Sequence, residues 1–224
     1  MQLVVIFGPP AVGKMTIGRM IAERSEFRLF HNHAMIEPLL EVFDYGTAPF
    51  RHLLRSLRQQ VGAEAAASGT DLILTYVWGL ESQDDVEEIA EQIAPYVDRE
   101  AVVSFVELAA GLDTRLERNR TEHRLAEKRS KRDLDWSDAN VREMERFVMN
   151  TDGERGPGPT ATGDGLPGAA PDGRPGATAD DLPDATADDL PGVQLLSQHR
   201  HFRLDTSELT PEQSAERILE WLRT

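Results

Sequence analysis

Residues 1–21 restrict what this 224-residue chain can become more than any other stretch. Leu3, Val4, Val5, Ile6 and Phe7 form an unbroken apolar run, the length and composition of a buried parallel strand. Gly8 follows at once, then Pro9, Pro10, Ala11, Val12, Gly13 and Lys14, with Met15 and Thr16 next. Ile17, Met20 and Ile21 then recur at helical spacing. Strand, glycine-bounded loop and helix in this order predict an anion site. Unpaired N–H groups of the loop and first helical turn point inward, and the helix dipole adds partial positive charge. Gly8 and Gly13 allow backbone angles and close approaches that a Cβ would block. Lys14 supplies a full charge where β- and γ-phosphates would lie. Residues 8–16 are therefore the expected contacts of a nucleotide, with Lys14 acting in catalysis.

Composition narrows the function classes. Acidic residues outnumber basic ones 39 to 24, a net charge of −15, which repels polyanions and argues against nucleic acid as a partner. Without cysteine there is neither a disulfide framework nor a thiolate metal site. No apolar run reaches the roughly 18 residues of a membrane span. The first strand begins at the amino terminus, so a cytoplasmic monomer without membrane contact is the expectation.

The rest of the chain alternates strand and helix. Residues 27–30 read as a second strand running into His31, Asn32 and His33, and Met35 to Val42 as the start of a helix. Pro49 to Ala67 is a strong helix, with Leu53, Leu54, Leu57, Val61 and Ala65 on the inward stripe and Arg51, Arg55, Arg58 and Gln59 turned elsewhere. Residues 71–78 give a third strand, 82–97 a helix, and 100–108 a fourth strand. Ser137 reads as the N-cap of a helix to about Phe147. Residues 198–204 form a fifth strand, and Thr210 followed by Pro211 opens a final helix. The alternation predicts one α/β domain over 1–224, a doubly wound five-stranded parallel sheet flanked by helices. Residues 151–192 are almost wholly Gly, Pro, Ala, Thr and Asp, with a near-repeat at 177–183 and 185–191 and nine acids against two arginines. Such a segment buries too little to repay ordering, and is expected to be a disordered acidic insertion.

Two further groups carry chemistry. Arg115, Arg118, Arg120 and Arg124 crowd a helical stretch after the fourth strand, within residues 109–136. Cations on a lid of this kind neutralise a phosphoryl group in transfer; the alternative is a solvated helix whose arginines pair with Glu117, Glu122 and Glu127. His31, Asn32 and His33 stand at the C-terminal end of a parallel strand, where side chains enter the ligand crevice. Either histidine could orient or deprotonate an acceptor hydroxyl, Asn32 could recognise it, the histidines could instead pair on a metal, or they could cap a helix. Tyr76 and Trp78, at the end of the third strand, are read as walls of an acceptor pocket, or else as core aromatics.

The stretches FGPPAVGKMT, LFHNH, LTYVW and HRLAEKRSKRDLDWS, the R-x-x-R-x-R-x-x-x-R run and the ending LDTSELTPEQSAERI together resemble the shikimate kinase and adenylate kinase group of P-loop proteins, including shikimate-kinase-like proteins labelled AAA-family ATPases. The resemblance implies a nucleotide-kinase fold, an ATP and Mg²⁺ site, Arg118 beside the adenine, Arg120 and Arg124 as catalytic clamps on the phosphates, and Arg115 left to solvent. The hydroxyl that usually follows the loop lysine is displaced by one, from Met15 to Thr16, so Thr16 is the candidate metal ligand. Adenylate kinases share that displacement, which implies magnesium held largely through water and phosphate. Shikimate kinases carry an aspartate where this chain has His31, Asn32 and His33, and a glycine turn where it has Thr75 to Gly79; the expected acceptor is therefore a small molecule other than shikimate. The leading expectation is a kinase moving the γ-phosphoryl group to that acceptor. The alternatives are a nucleotide-hydrolysing switch and a nucleotide-binding module without turnover.

Overall fold

The computed structural model describes residues 1–121, 134–153 and 189–224, with side chains from Ser137 onward in the second block. Its elements are β1 (Gln2–Phe7), α1 (Lys14–Glu23), β2 (Arg28–Phe30), α2 (His33–Leu40), α3 (Ala48–Ala67), β3 (Leu72–Tyr76), α4 (Gln83–Val97), β4 (Val102–Ala109), α5 (Leu112–Asn119), α6 (Leu134–Glu143), a 3₁₀ turn (Met144–Arg146), α7 (Pro191–Leu196), β5 (Arg200–Asp205) and α8 (Pro211–Leu222). The strands form one parallel sheet in the order β2-β3-β1-β4-β5.

β1 lies in the middle because its residues can be buried on both faces. Leu3, Val5 and Phe7 join one core with Ile89, Ile93 and Tyr96 of α4 and Leu195 and Leu196 of α7. Val4 and Ile6, pointing the other way, join a second core with Ile17 and Ile21 of α1 and Ile218 and Leu222 of α8. At about 1.5–3 kcal/mol for each fully buried large side chain, these two layers dominate the stability of the domain. The chain leaves β1 for β2 on one side, with β3 inserted between them, and later returns to the other side for β4 and β5. The switch of direction falls at the C-terminal end of β1, and there such a sheet opens its ligand crevice.

The ends of α4 and α8 agree with the sequence. Ser82 accepts from Asp85 N, and Thr210 with Gln213 forms a capping box ahead of Pro211. Elsewhere the structure corrects the reading. In α3 the buried stripe is Phe50, Leu54, Arg58, Gly62 and Ala66, a strict i, i+4 ridge, so Arg58 faces inward. Ser137 is no cap: α6 begins at Leu134, and the buried Ser137 hydroxyl donates to Asn119 Oδ1 at 3.1 Å.

The edges of the expected insertion are built into the fold. Thr151 donates to Glu107 through both its N–H and its hydroxyl, Leu190 is buried, and Gly192 N donates to Leu80 O at 2.8 Å. A Cβ on Gly192 would meet Leu80 backbone at 2.8 Å. Residues 154–188 lie outside the described part of the chain, as do residues 122–133 of the arginine-rich lid stretch. Among the described residues no helix is long and apolar enough to cross a membrane.

Candidate active site

The loop from β1 to α1 is shaped by three left-handed residues, Gly8 (φ 136°), Ala11 (φ 64°) and Gly13 (φ 109°). Ala11 holds a conformation worth about 1–2 kcal/mol of strain in an L-residue. It is buried against Leu116 and Val141 of α5 and α6, and that packing holds it. Gly13 is the N-cap of α1 and offers no side-chain cap, while the first turn of α1 contains no acid. The positive end of the helix dipole is thus open toward the loop. Lys14 Nζ lies over the same loop, donating to Gly8 O at 2.6 Å and Pro9 O at 2.7 Å. The Thr16 hydroxyl, half-buried on the first turn, engages no hydrogen bond among the described residues and is open to a ligand.

The arginines after β4 separate into different roles. Arg118 reaches across to the loop: Nη1 donates to Thr206 Oγ1 at 2.9 Å and to Val12 O at 3.4 Å, and Nη2 donates to Thr206 O at 2.6 Å. Burial draws the Arg118 pKa below its ordinary value, against the opposing charge of Asp205. Arg120 is exposed and forks onto Asp138 Oδ2 at 2.8 and 2.6 Å. Burial would raise the Asp138 pKa, but the bonds from Asn119 and Arg120 and the nearby charges of Arg120 and Arg142 bring it below the ordinary carboxylate value. Arg115, expected in solvent, is buried: Nε donates to Ala110 O and Nη2 pairs with Glu145 at 2.5 Å. It belongs to the scaffold that joins α5 to the turn after α6. Arg124 lies outside the described residues.

On the β2–β3 side, Asn32 closes the turn into α2 without a side-chain cap bond. Its N–H donates to Thr75 Oγ1 at 3.0 Å, and its Oδ1 accepts from Arg58 Nη2. Arg58 also pairs with Glu88 of α4 at 2.8 Å and lies over the Tyr76 ring. Asn32 is therefore engaged within the protein, with His31 and His33 half-buried on either side of it. Trp78 does not wall a pocket. It is fully buried, with its ring against those of Phe7 and Phe105. Tyr76 is likewise buried beneath Arg58. Desolvation, followed by the charge of Glu88, pushes its hydroxyl pKa well above the ordinary value, although no hydrogen bond of acceptable geometry reaches that hydroxyl. The open space lies further out, as a cavity of about 430 Å³ between the first half of α3 and the start of α4, lined by Arg51, His52, Arg55, Arg58, Glu87 and Glu88 among others. Both helix ends stand at the C-terminal edge of the sheet, the edge that carries the loop.

No family model and no curated protein matches this chain. Solved structures do. One, from Chloroflexus aurantiacus and provisionally described as a kinase, superposes with a TM-score of 0.54 at 16% identity, over 99% of this chain and 93% of its own. The shikimate kinase of Acinetobacter baumannii, solved with shikimate, gives 0.50 at 15% identity, over 99% and 92%. These likenesses show that the chain shares the fold of those two structures. Sequence reasoning predicted the strand, loop and helix of residues 2–23 and missed the contacts of Arg58, Glu88 and Thr206. A signal for Arg58 was present, an arginine spaced four residues from Leu54 and from Gly62 on one ridge of α3. Thr206 gave none beyond its place after β5.

Among the described residues no group of three or more His, Asp or Glu could hold a metal ion. Acids after β3 are engaged elsewhere: Asp85 accepts from Gly79 N and Glu81 from Val148 N. The residues fit a metal that arrives with a phosphate chain, with Thr16 as the donor the loop provides.

Proposed function

We propose that this protein is an ATP-dependent phosphotransferase acting on a small-molecule acceptor other than shikimate. The observation that carries the reading is the β1–α1 loop. It is a left-handed turn at the sheet's switch point, closed by Lys14 over an uncapped helix start with no acid in its first turn. Phosphate oxygens would take the place of the Gly8 and Pro9 carbonyls as partners of Lys14, while loop amides hold the chain of phosphates. A magnesium ion, held by Thr16 and the phosphates, would supply charge neutralisation at that site. Arg118 flanks the nucleotide. Arg120 exchanges Asp138 for a phosphoryl oxygen, and Arg124 joins it, as water is excluded.

The acceptor enters the cavity between α3 and α4, whose Arg58 is bonded to Asn32, the residue between His31 and His33. Arg58 is already committed to Glu88 and Asn32, and no aspartate follows β2; both features disfavour shikimate. The test is ADP formation across a panel of hydroxyl-bearing acceptors, in the wild type, Lys14→Ala and His33→Ala. One acceptor should raise turnover sharply, and Lys14→Ala should lower it about 100-fold or more. Slow hydrolysis indifferent to every acceptor would identify a nucleotide switch instead, and ATP affinity without ADP release a binding module.

A further inference from the structure

We propose that Thr206 is a positioning residue of the nucleotide site, the group that presets Arg118 against the phosphate loop. The inference rests on the nucleotide reading above and goes on to assign a residue that touches no ligand itself. Thr206 stands immediately after β5, almost wholly buried at 1% exposure, and every polar atom it owns is engaged. Its N–H donates to Ala109 O at the end of β4 at 2.8 Å. Its carbonyl accepts Arg118 Nη2 at 2.6 Å, and its hydroxyl oxygen accepts Arg118 Nη1 at 2.9 Å. The hydroxyl proton is then left for Ala109 O at 3.0 Å or Val12 O at 3.4 Å. One small side chain thereby ties together β4, β5, α5 and the loop.

What it holds is a cation that no carboxylate among the described residues bonds directly, with Asp205 acting on it only through its charge. The Arg118 guanidinium makes no ion pair among the described residues, and neutral oxygens alone receive its N–H groups. A half-buried charge compensated in that way, at the edge of an anion-binding loop, keeps its attraction for an anionic or π-electron ligand. Fixing its fork beforehand removes the ordering of a long side chain from the binding step. A valine at 206 would keep the shape and the backbone bonds but remove the hydroxyl.

Titration calorimetry with Mg-ATP on the full chain tests this. Thr206→Val should weaken binding about tenfold, Thr206→Ser should return it to within about twofold of wild type, and Arg118→Gln should weaken it comparably. Because the hydroxyl acts through Arg118, the double variant should be little weaker than Arg118→Gln alone. Should Thr206→Val fail to fold, Thr206→Ala is judged by the same criteria. Wild-type affinity in the hydroxyl-less variant, failure of serine to restore it, or losses that simply add would each overturn the assignment. A wild type that binds no Mg-ATP would overturn the nucleotide reading as well, and with it this one.

Discussion

Gly8→Ala puts the loop's geometry under the most direct strain. The backbone there has φ 136°, which an L-residue adopts at a cost of about 1–3 kcal/mol. The new Cβ would also stand 2.2 Å from the carbonyl oxygen of Leu108. That oxygen cannot move away freely, because Asn150 Nδ2 donates to it at 3.1 Å and β4 is paired with β1 and β5 on both sides. Relief requires the C-terminal ends of β1 and β4 to part, an overpacking penalty of about another 1–3 kcal/mol. The sum, about 2–6 kcal/mol, is a large share of the ~5–15 kcal/mol that holds a domain folded. Gly69→Ala separates the two contributions. Gly69 has φ 72°, but nothing lies within 4 Å of its would-be Cβ, so only the conformational part applies, about 1–2 kcal/mol. Urea unfolding of both variants, read as a midpoint shift at constant slope, gives the difference. If Gly8→Ala loses no more stability than Gly69→Ala, the close approach of loop and β4 is not what glycine is there for.

Three other outcomes follow from buried groups. Glu88→Ala strands the Arg58 charge and should destabilise by about 3–5 kcal/mol, whereas Arg58→Met with Glu88→Leu should cost clearly less; equal losses by denaturant titration would contradict the pairing. Burial would raise the Glu107 pKa, but His201, Thr151 and Asn150 bond the carboxylate and bring it below its ordinary 4.5. Its contribution is therefore complete above about pH 4.5 and lost as pH falls through the depressed folded value, so the wild-type decline in stability below pH 4.5 should be shallower in Glu107→Gln. Trp78→Ala should cost about 3–5 kcal/mol as a core deletion, with Mg-ATP affinity in the folded protein held within about twofold; a fall in affinity beyond that would return Trp78 to the site.

Why some of the site was legible and some was not follows from the range of the interactions. The loop could be read because strand, glycine spacing, lysine and helix lie within twenty consecutive residues, and each backbone requirement is local. The acceptor side could not, because its polar contacts cross the sheet's edge. Arg58 and Glu88 are thirty residues apart, and Asn32 bonds the Arg58 side chain that its own surroundings never advertised. An inward arginine on α3 reads as an exposed one until α4 supplies its carboxylate. Likewise Leu190 and Gly192 share the composition of a polar, proline-rich segment, yet Leu190 is buried in the core and Gly192 is fixed by Leu80, over a hundred residues away.

By itself, the sequence determined the alternation of strand and helix, the five strands and the position of the glycine-bounded β1–α1 loop. Periodicity, glycine conformation and helix capping are properties of short windows, and short windows are what a sequence displays. Tertiary structure alone decided that Trp78 and Tyr76 are core, that Arg115 is buried on Glu145, that Arg118 is held by Thr206, and that open space lies between α3 and α4. Those outcomes depend on which distant surface each side chain meets, and that is set only when the layers close on the sheet.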